Sequence, residues 1–128
     1  MADGENWRVT LCKALIQERR IVGEALGFRL VENANFDILI ELYLARTEHR
    51  KVFVWSLCAA ANAPYSTAYR KIRELIAAGL IVRHDDTKDR RRVEVELTRH
   101  AIQVLDGFIS KLAAARGSRT CLPGPRHT

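Results

Sequence analysis

Long apolar runs, paired cysteines and proline are scarce in this 128-residue chain, and each shortage excludes a class of protein. No apolar stretch approaches the roughly 20 residues of a membrane helix, so no membrane partner is expected. The opening residues, MADGENWRVTLCK, lack a cationic stretch followed by an apolar core, which argues against a secretory signal. The three cysteines, Cys12, Cys58 and Cys121, are odd in number, widely spaced and without a CxxC pair. That excludes a disulfide framework or a zinc module and fits a reducing, cytoplasmic setting. Seven glycines and three prolines are too few for a collagen-like chain or a long disordered linker. His49, His84, His100 and His127 are scattered, with no i, i+4 pair and no cysteine at metal-ligand spacing. There is no glycine-rich phosphate loop, no GxSxG and no convincing pair of catalytic carboxylates. Neither an enzymatic activity nor a cofactor is expected.

The chain does have a core and a charge asymmetry. Hydrophobic residues make up 48% and charged residues 28%, the balance of a soluble globular domain. The formal net charge is +6. Residues 1–63 carry eight basic and eight acidic side chains, so the whole excess lies after residue 63. A basic half joined to a neutral half suggests a polyanion on one side of the molecule. A solvated basic surface is the plainer explanation, and charge alone does not separate the two.

Periodicity orders the chain. Leu11, Leu15, Val22 and Leu26 recur at helical spacing over residues 8–26, and Gly27 suits a stop. A connector follows over 28–34. Asn35 is a candidate N-cap for a helix at about 36–48, with Asp37 in its first turn. Residues 52–61 start extended and turn helical from about Ser56. Asn62-Ala63-Pro64 reads as a turn into a helix that ends near Ala78 and Gly79. Residues 80–83 form a short apolar strand, 84–91 a charged loop, and 92–97 a strand of strict alternation. Thr98 caps a last helix with Ile102, Leu105, Phe108, Ile109 and Leu112 inward; Gly117 is its expected end, and the tail 117–128 is expected to be disordered. A two-helix unit with a tight turn, followed by a β-hairpin, is a winged helix-turn-helix. The fold class is mainly α with a small β-hairpin.

On a helical wheel over 65–78, Ala68, Ile72, Leu75 and Ile76 point to the core. Ser66, Thr67 and Arg70 point away, in the half of such a helix that reaches base edges in the major groove. Lys71 and Arg73 flank that face and suit phosphates. Tyr65 and Tyr69 fall near the core boundary, where they can pack or touch the DNA backbone. The hairpin loop holds Lys88, Asp89, Arg90 and Arg91, followed by Arg92. Successive arginines at a hairpin tip suit a phosphate backbone or a narrow minor groove. Asp89 would repel DNA unless it held an arginine in a fork-like contact. A solvated helix face and a loose surface charge cluster are the alternatives. Cys12 and Cys58 read as buried, and Trp7 and Trp55 as core or interface aromatics, since neither sits in the basic half.

The segment Asp89-x-Arg91, five residues, then Leu97-Thr98 resembles the D-x-R-x5-L-T signature of the MarR family of winged-helix transcription regulators. Residues 75–83 are similar to that family's recognition-helix end and first wing strand, and the resemblance covers about 36–100. It implies that Arg91 enters the minor groove with Asp89 orienting it, and that Ser66, Thr67 and Arg70 lie where the family contacts bases. It also implies a homodimer packed through the first and last helices. Many members hold a small-molecule effector between their dimerisation and DNA-binding parts; the effector's chemistry is not legible here. Ala101 stands where the family often has glycine.

The expected organisation is an N-terminal dimerisation helix and connector (1–34), a winged helix-turn-helix (35–97), a C-terminal dimerisation helix (98–116) and the tail. The partners expected are double-stranded DNA, bound at a palindromic site through helix 64–78 and wing 84–91, and a second copy of the chain. The alternative is a winged-helix interaction module whose arginine-rich wing meets an acidic protein without DNA.

Overall fold

A computed structural model describes the backbone of residues 2–86, 88–89 and 92–121, and side chains from residue 7 to 117 within that range. Helix α1 spans Ala2–Leu26 and is followed by a helical turn, α2, at Phe28–Val31. Helix α3 is Ala34–Thr47, strand β1 is Val52–Phe53, and helices α4 and α5 are Val54–Ala60 and Tyr65–Ala77. Strands β2 (Ile81–Asp85) and β3 (Val93–Leu97) form the hairpin, and α6 runs over Arg99–Cys121. Among the described residues, no helix is long and apolar enough to cross a membrane.

Helix α3 is the hub. Ile38, Ile40, Leu42, Tyr43, Leu44 and Ala45 are all buried, so the helix is covered nearly all round. It packs on α1, α4, α5 and β3. Its start corrects the expected cap. Asn33, not Asn35, is the N-cap, and its Oδ1 accepts from the Phe36 amide at 3.2 Å. Asn35 therefore lies inside the first turn, and its Oδ1 is buried without a hydrogen-bond partner among the described residues.

The apolar stripe of α1 divides. Leu11, Cys12 and Leu15 are buried against the chain's own core, whereas Ile21, Val22 and Leu26 are exposed. Gly27 ends the helix with φ +99°, a conformation that costs other residues strain. The connector is not wholly irregular, because Phe28–Val31 closes one helical turn. The Phe28 ring lies against Gly23, where a methyl group would overlap it.

The sheet has three strands in the order β1-β3-β2, all antiparallel. The third strand, β1, is the extended start expected at 52–53; the helix after it begins at Val54 rather than Ser56. Ser56 makes that early start workable. Its hydroxyl accepts from the Phe53 amide at 3.2 Å and donates to the Phe53 carbonyl at 2.9 Å. The alternation in β3 holds: Val95 and Leu97 are buried and Glu96 is exposed. Pairing of His84 with Glu94 and Asp85 with Val93 makes these two residues strand rather than loop.

Thr98 caps α6 as expected, accepting from the Ala101 amide at 3.1 Å. Its hydroxyl also donates to the Gly79 carbonyl at 2.8 Å, tying the end of the hairpin to its beginning. Helix α6 continues through Gly117 to Cys121, so the expected stop at Gly117 is wrong. A solvent-facing glycine weakens a helix without ending it. Residues 122–128 of the expected tail lie outside the described residues.

Candidate nucleic-acid interface

Helices α4 and α5, the turn between them and the β2–β3 hairpin form a winged helix-turn-helix. Pro64 sits at the N-cap of α5 and its carbonyl accepts from the Ala68 amide at 2.9 Å. Ala68, Ile72 and Leu75 anchor one face of α5 in the core, with Ile76 half-buried beside them. Gly79, with φ +82°, turns the chain directly into the hairpin.

The opposite face of α5 is open. Ser66, Arg70 and Arg73 are exposed, while Thr67 and Lys71 are half-buried. Arg70 Nη1 lies 3.2 Å from Glu74 Oε2, and Lys71 Nζ lies 3.5 Å from Glu74 Oε1. The two cations thus share one carboxylate in the free protein. Tyr65 and Tyr69 lie farther out than a core boundary, at 59% and 40% exposure, and their rings stack with centroids 6.3 Å apart.

The wing begins after Asp85. Asp86 Oδ1 accepts from the Lys88 amide at 2.8 Å and the Asp89 amide at 3.3 Å, which folds the loop back on itself. The Asp89 carbonyl then accepts from the Arg92 amide at 3.0 Å. The Arg92 guanidinium lies over the Phe53 ring at 5.1 Å, with its Nε 3.6 Å from Asp86 Oδ2. Asp86 is a position that residue order did not single out, because it acts on backbone amides two and three residues on. Lys88 is exposed and Asp89 half-buried. Arg90 and Arg91 lie outside the described residues.

Between α4, α5 and the wing lies a groove of about 630 Å³ lined by Trp55, Tyr65, Tyr69, Arg83, Asp89 and Arg92, with Val54 and Val93. Trp55 is 60% exposed there, so it is not a core aromatic. It sits in the neutral half of the sequence, but β1 and α4 carry it against the basic half. Chain position hid this residue.

The cysteines are buried as expected. Burial pushes the Cys12 thiol up to about 11, with Arg8 opposing the shift. Burial also raises Cys58. Neither is a ready thiolate at neutral pH. Among the described residues, no group of three or more His, Cys, Asp or Glu side chains could hold a metal ion.

The class of protein defined by this geometry is a winged helix-turn-helix with long flanking helices. Solved structures of transcription regulators share that fold. MepR, a transcription regulator of the Staphylococcus aureus multidrug efflux pump MepA, superposes with a TM-score of 0.61 at 18% identity, over 89% of this chain and 82% of that one. A MarR family transcriptional regulator from Silicibacter pomeroyi gives 0.57 at 19% identity, over 91% and 75%. A MepR point mutant bound to an oligodeoxyribonucleotide gives 0.59 at 20% identity, over 90% and 83%. No family model and no curated protein matches the chain. The chain has the winged-helix fold of the MarR family regulators, and at these identities the likeness is one of fold.

Proposed function

We propose that this protein is a sequence-specific DNA-binding transcription regulator of MarR type. The observation that carries the reading is the open face of α5 beside the wing. Ser66, Thr67 and Arg70 project from the half of the helix that would meet base edges, and Lys71 and Arg73 flank them toward phosphates. The groove holding Trp55, Tyr65 and Tyr69 lies between helix and wing, where the sugar–phosphate ridge between major and minor groove would pass. Arg83 and Arg92 would neutralise phosphates there, and Lys88, Arg90 and Arg91 would extend the contact. Asp89 orienting Arg91 is part of the same reading.

The protein acts as a homodimer on a palindromic site. Support comes from the uncovered half of α1: Ile21, Val22 and Leu26, with Leu30 of the connector, form more exposed apolar surface than one copy has use for. A two-fold pair would set two α5 helices about one DNA turn apart. Sedimentation at micromolar concentration should give a dimer; a monomer with and without DNA rejects this part.

The test of function is selection of duplexes from a random pool, followed by affinity measurements across salt. A DNA-binding regulator enriches a two-fold symmetric sequence, and its log affinity falls linearly with log salt. Failure to enrich any sequence, with no salt-dependent binding, rejects it.

A further inference from the structure

Among the described residues, Asp37 is the one buried charged side chain, and two other segments of the chain meet on it. Arg19 of α1 grips the carboxylate with both arms of its fork, Nε to Oδ1 at 2.8 Å and Nη2 to Oδ2 at 3.1 Å. Asn62, in the turn between α4 and α5, donates from Nδ2 to Oδ2 at 3.3 Å. The Arg19 guanidinium also lies over the Phe36 ring at 5.8 Å, and Phe36 meets Phe108 of α6 edge to face at 5.9 Å. The long helices α1 and α6 and the helix-turn-helix turn are thus joined within one cluster on the first turn of α3.

Net stability is a weak reason for such an arrangement. Replacing a buried ion pair by apolar residues of similar volume is often neutral or stabilising. What the charges add is direction. Apolar side chains can slide past one another, whereas a fork on a carboxylate fixes both distance and plane. Asn62 carries that registration across to the turn that launches α5.

We propose that Asp37 is the joint through which the position of α1 sets the position of the recognition helix, with Asn62 as a positioning residue on the DNA-binding side. This rests on the reading of the protein as a dimer on palindromic DNA. The joint touches no DNA. It sets the separation of two α5 helices in the dimer, and therefore the spacing of half-sites that the dimer accepts.

The test uses Asn62→Ala and Asn62→Asp, which leave the Arg19–Asp37 pair in place, and the double variant Arg19→Met/Asp37→Leu, which swaps it for apolar groups. Each is measured on three duplexes: the best two-half-site sequence recovered from a random pool, the same sequence with one base pair inserted or removed at its centre, and a single half-site. On the best duplex Asn62→Ala should bind about tenfold more weakly, the equivalent of one hydrogen bond. Asn62→Asp, which sets a carboxylate against Asp37, should lose more. Half-site affinity should stay within about twofold of the parent, and the penalty for altered spacing should flatten in all three variants. Equal losses on half-site and full site mean a general structural role and overturn the proposal. So does an unchanged spacing profile in folded variants. A parent protein that selects no duplex removes the DNA-binding reading itself and this inference with it. A parent that does, with variants that match it, removes the joint alone.

Discussion

Arg70 enters the proposed interface already paired, and the pairing sets what its mutation should do. Its partner Glu74 also holds Lys71. The Arg70 pair is exposed and the Lys71 pair half-buried, and surface pairs of this kind contribute about 0.2–1 kcal/mol. Glu74→Ala should therefore tighten DNA binding by roughly two- to fivefold, by releasing two cations and removing one anion. Arg70→Ala should relax base preference by about 1–3 kcal/mol of discrimination, whereas Arg73→Ala should weaken all sequences alike. Competition against scrambled DNA separates the two; equal loss on both duplexes for Arg70→Ala refutes base reading. Asp89 poses the opposite question, because removing a carboxylate from a loop proposed to face DNA should by simple Coulomb reasoning help. We expect Asp89→Ala to bind more weakly, since an unoriented Arg91 must be ordered at binding. The double variant Asp89→Ala/Arg91→Ala should be no worse than Arg91→Ala alone. Tighter binding by Asp89→Ala at fixed salt would leave Asp89 as one member of a solvated cluster. The open face of α5 was legible from residue order, because a helical wheel needs only the 100° step. Asp86 and Trp55 were not: one acts through backbone amides, the other through a neighbour distant in sequence.

At the scale of elements, the hairpin and the last helix depend on one hydroxyl. Thr98 Oγ1 accepts from the Ala101 amide and donates to the Gly79 carbonyl. The threonine of the L-T pair thus caps α6 and closes the base of the wing in one residue. Thr98→Ala should cost about 1–2 kcal/mol in urea unfolding, the range of a lost helix cap, and Thr98→Ser should recover most of it. If serine is as poor as alanine, the methyl group rather than the hydroxyl does the work. The types of the longer elements were readable, because α5 and β3 show clean helical and alternating patterns, whereas the helical turn at Phe28–Val31 was read as connector. Boundaries were less so. Asn33 and Asn35 are equally good caps as residues, and in the fold it is Asn33 that accepts from the Phe36 amide. Strand β1 is two residues long and exists only because β3 is there to pair with it, Val52 against Val95.

Over the whole molecule, the core joins α1, α3 and α6 through a polar chain as well as apolar packing. Arg8 Nη1 donates to the Tyr43 hydroxyl at 2.8 Å, and that hydroxyl donates to Asp106 Oδ1 at 2.6 Å. Burial, then the Asp106 contact, pushes Tyr43 up to about 12 from an ordinary 10.0; Cys12 rises to about 11 from 9.0. Both groups hold their protons more tightly when folded. Their contribution is fully present below pH 9 and is lost as pH rises through 9 to 12. The urea midpoint should therefore fall steadily above pH 9, and Tyr43→Phe should flatten the upper part of that fall. A midpoint constant from pH 8 to 11 would contradict these shifts. The sequence by itself determined the winged-helix order, the inward stripes of α5 and α6 and the basic excess after residue 63, because these follow from local period and composition. Only the tertiary structure decided that half of the α1 stripe stays uncovered, that Trp55 reaches the wing, and that Asp37 joins three segments. Those outcomes depend on which distant residues arrive together, and neither helical period nor charge count carries that information.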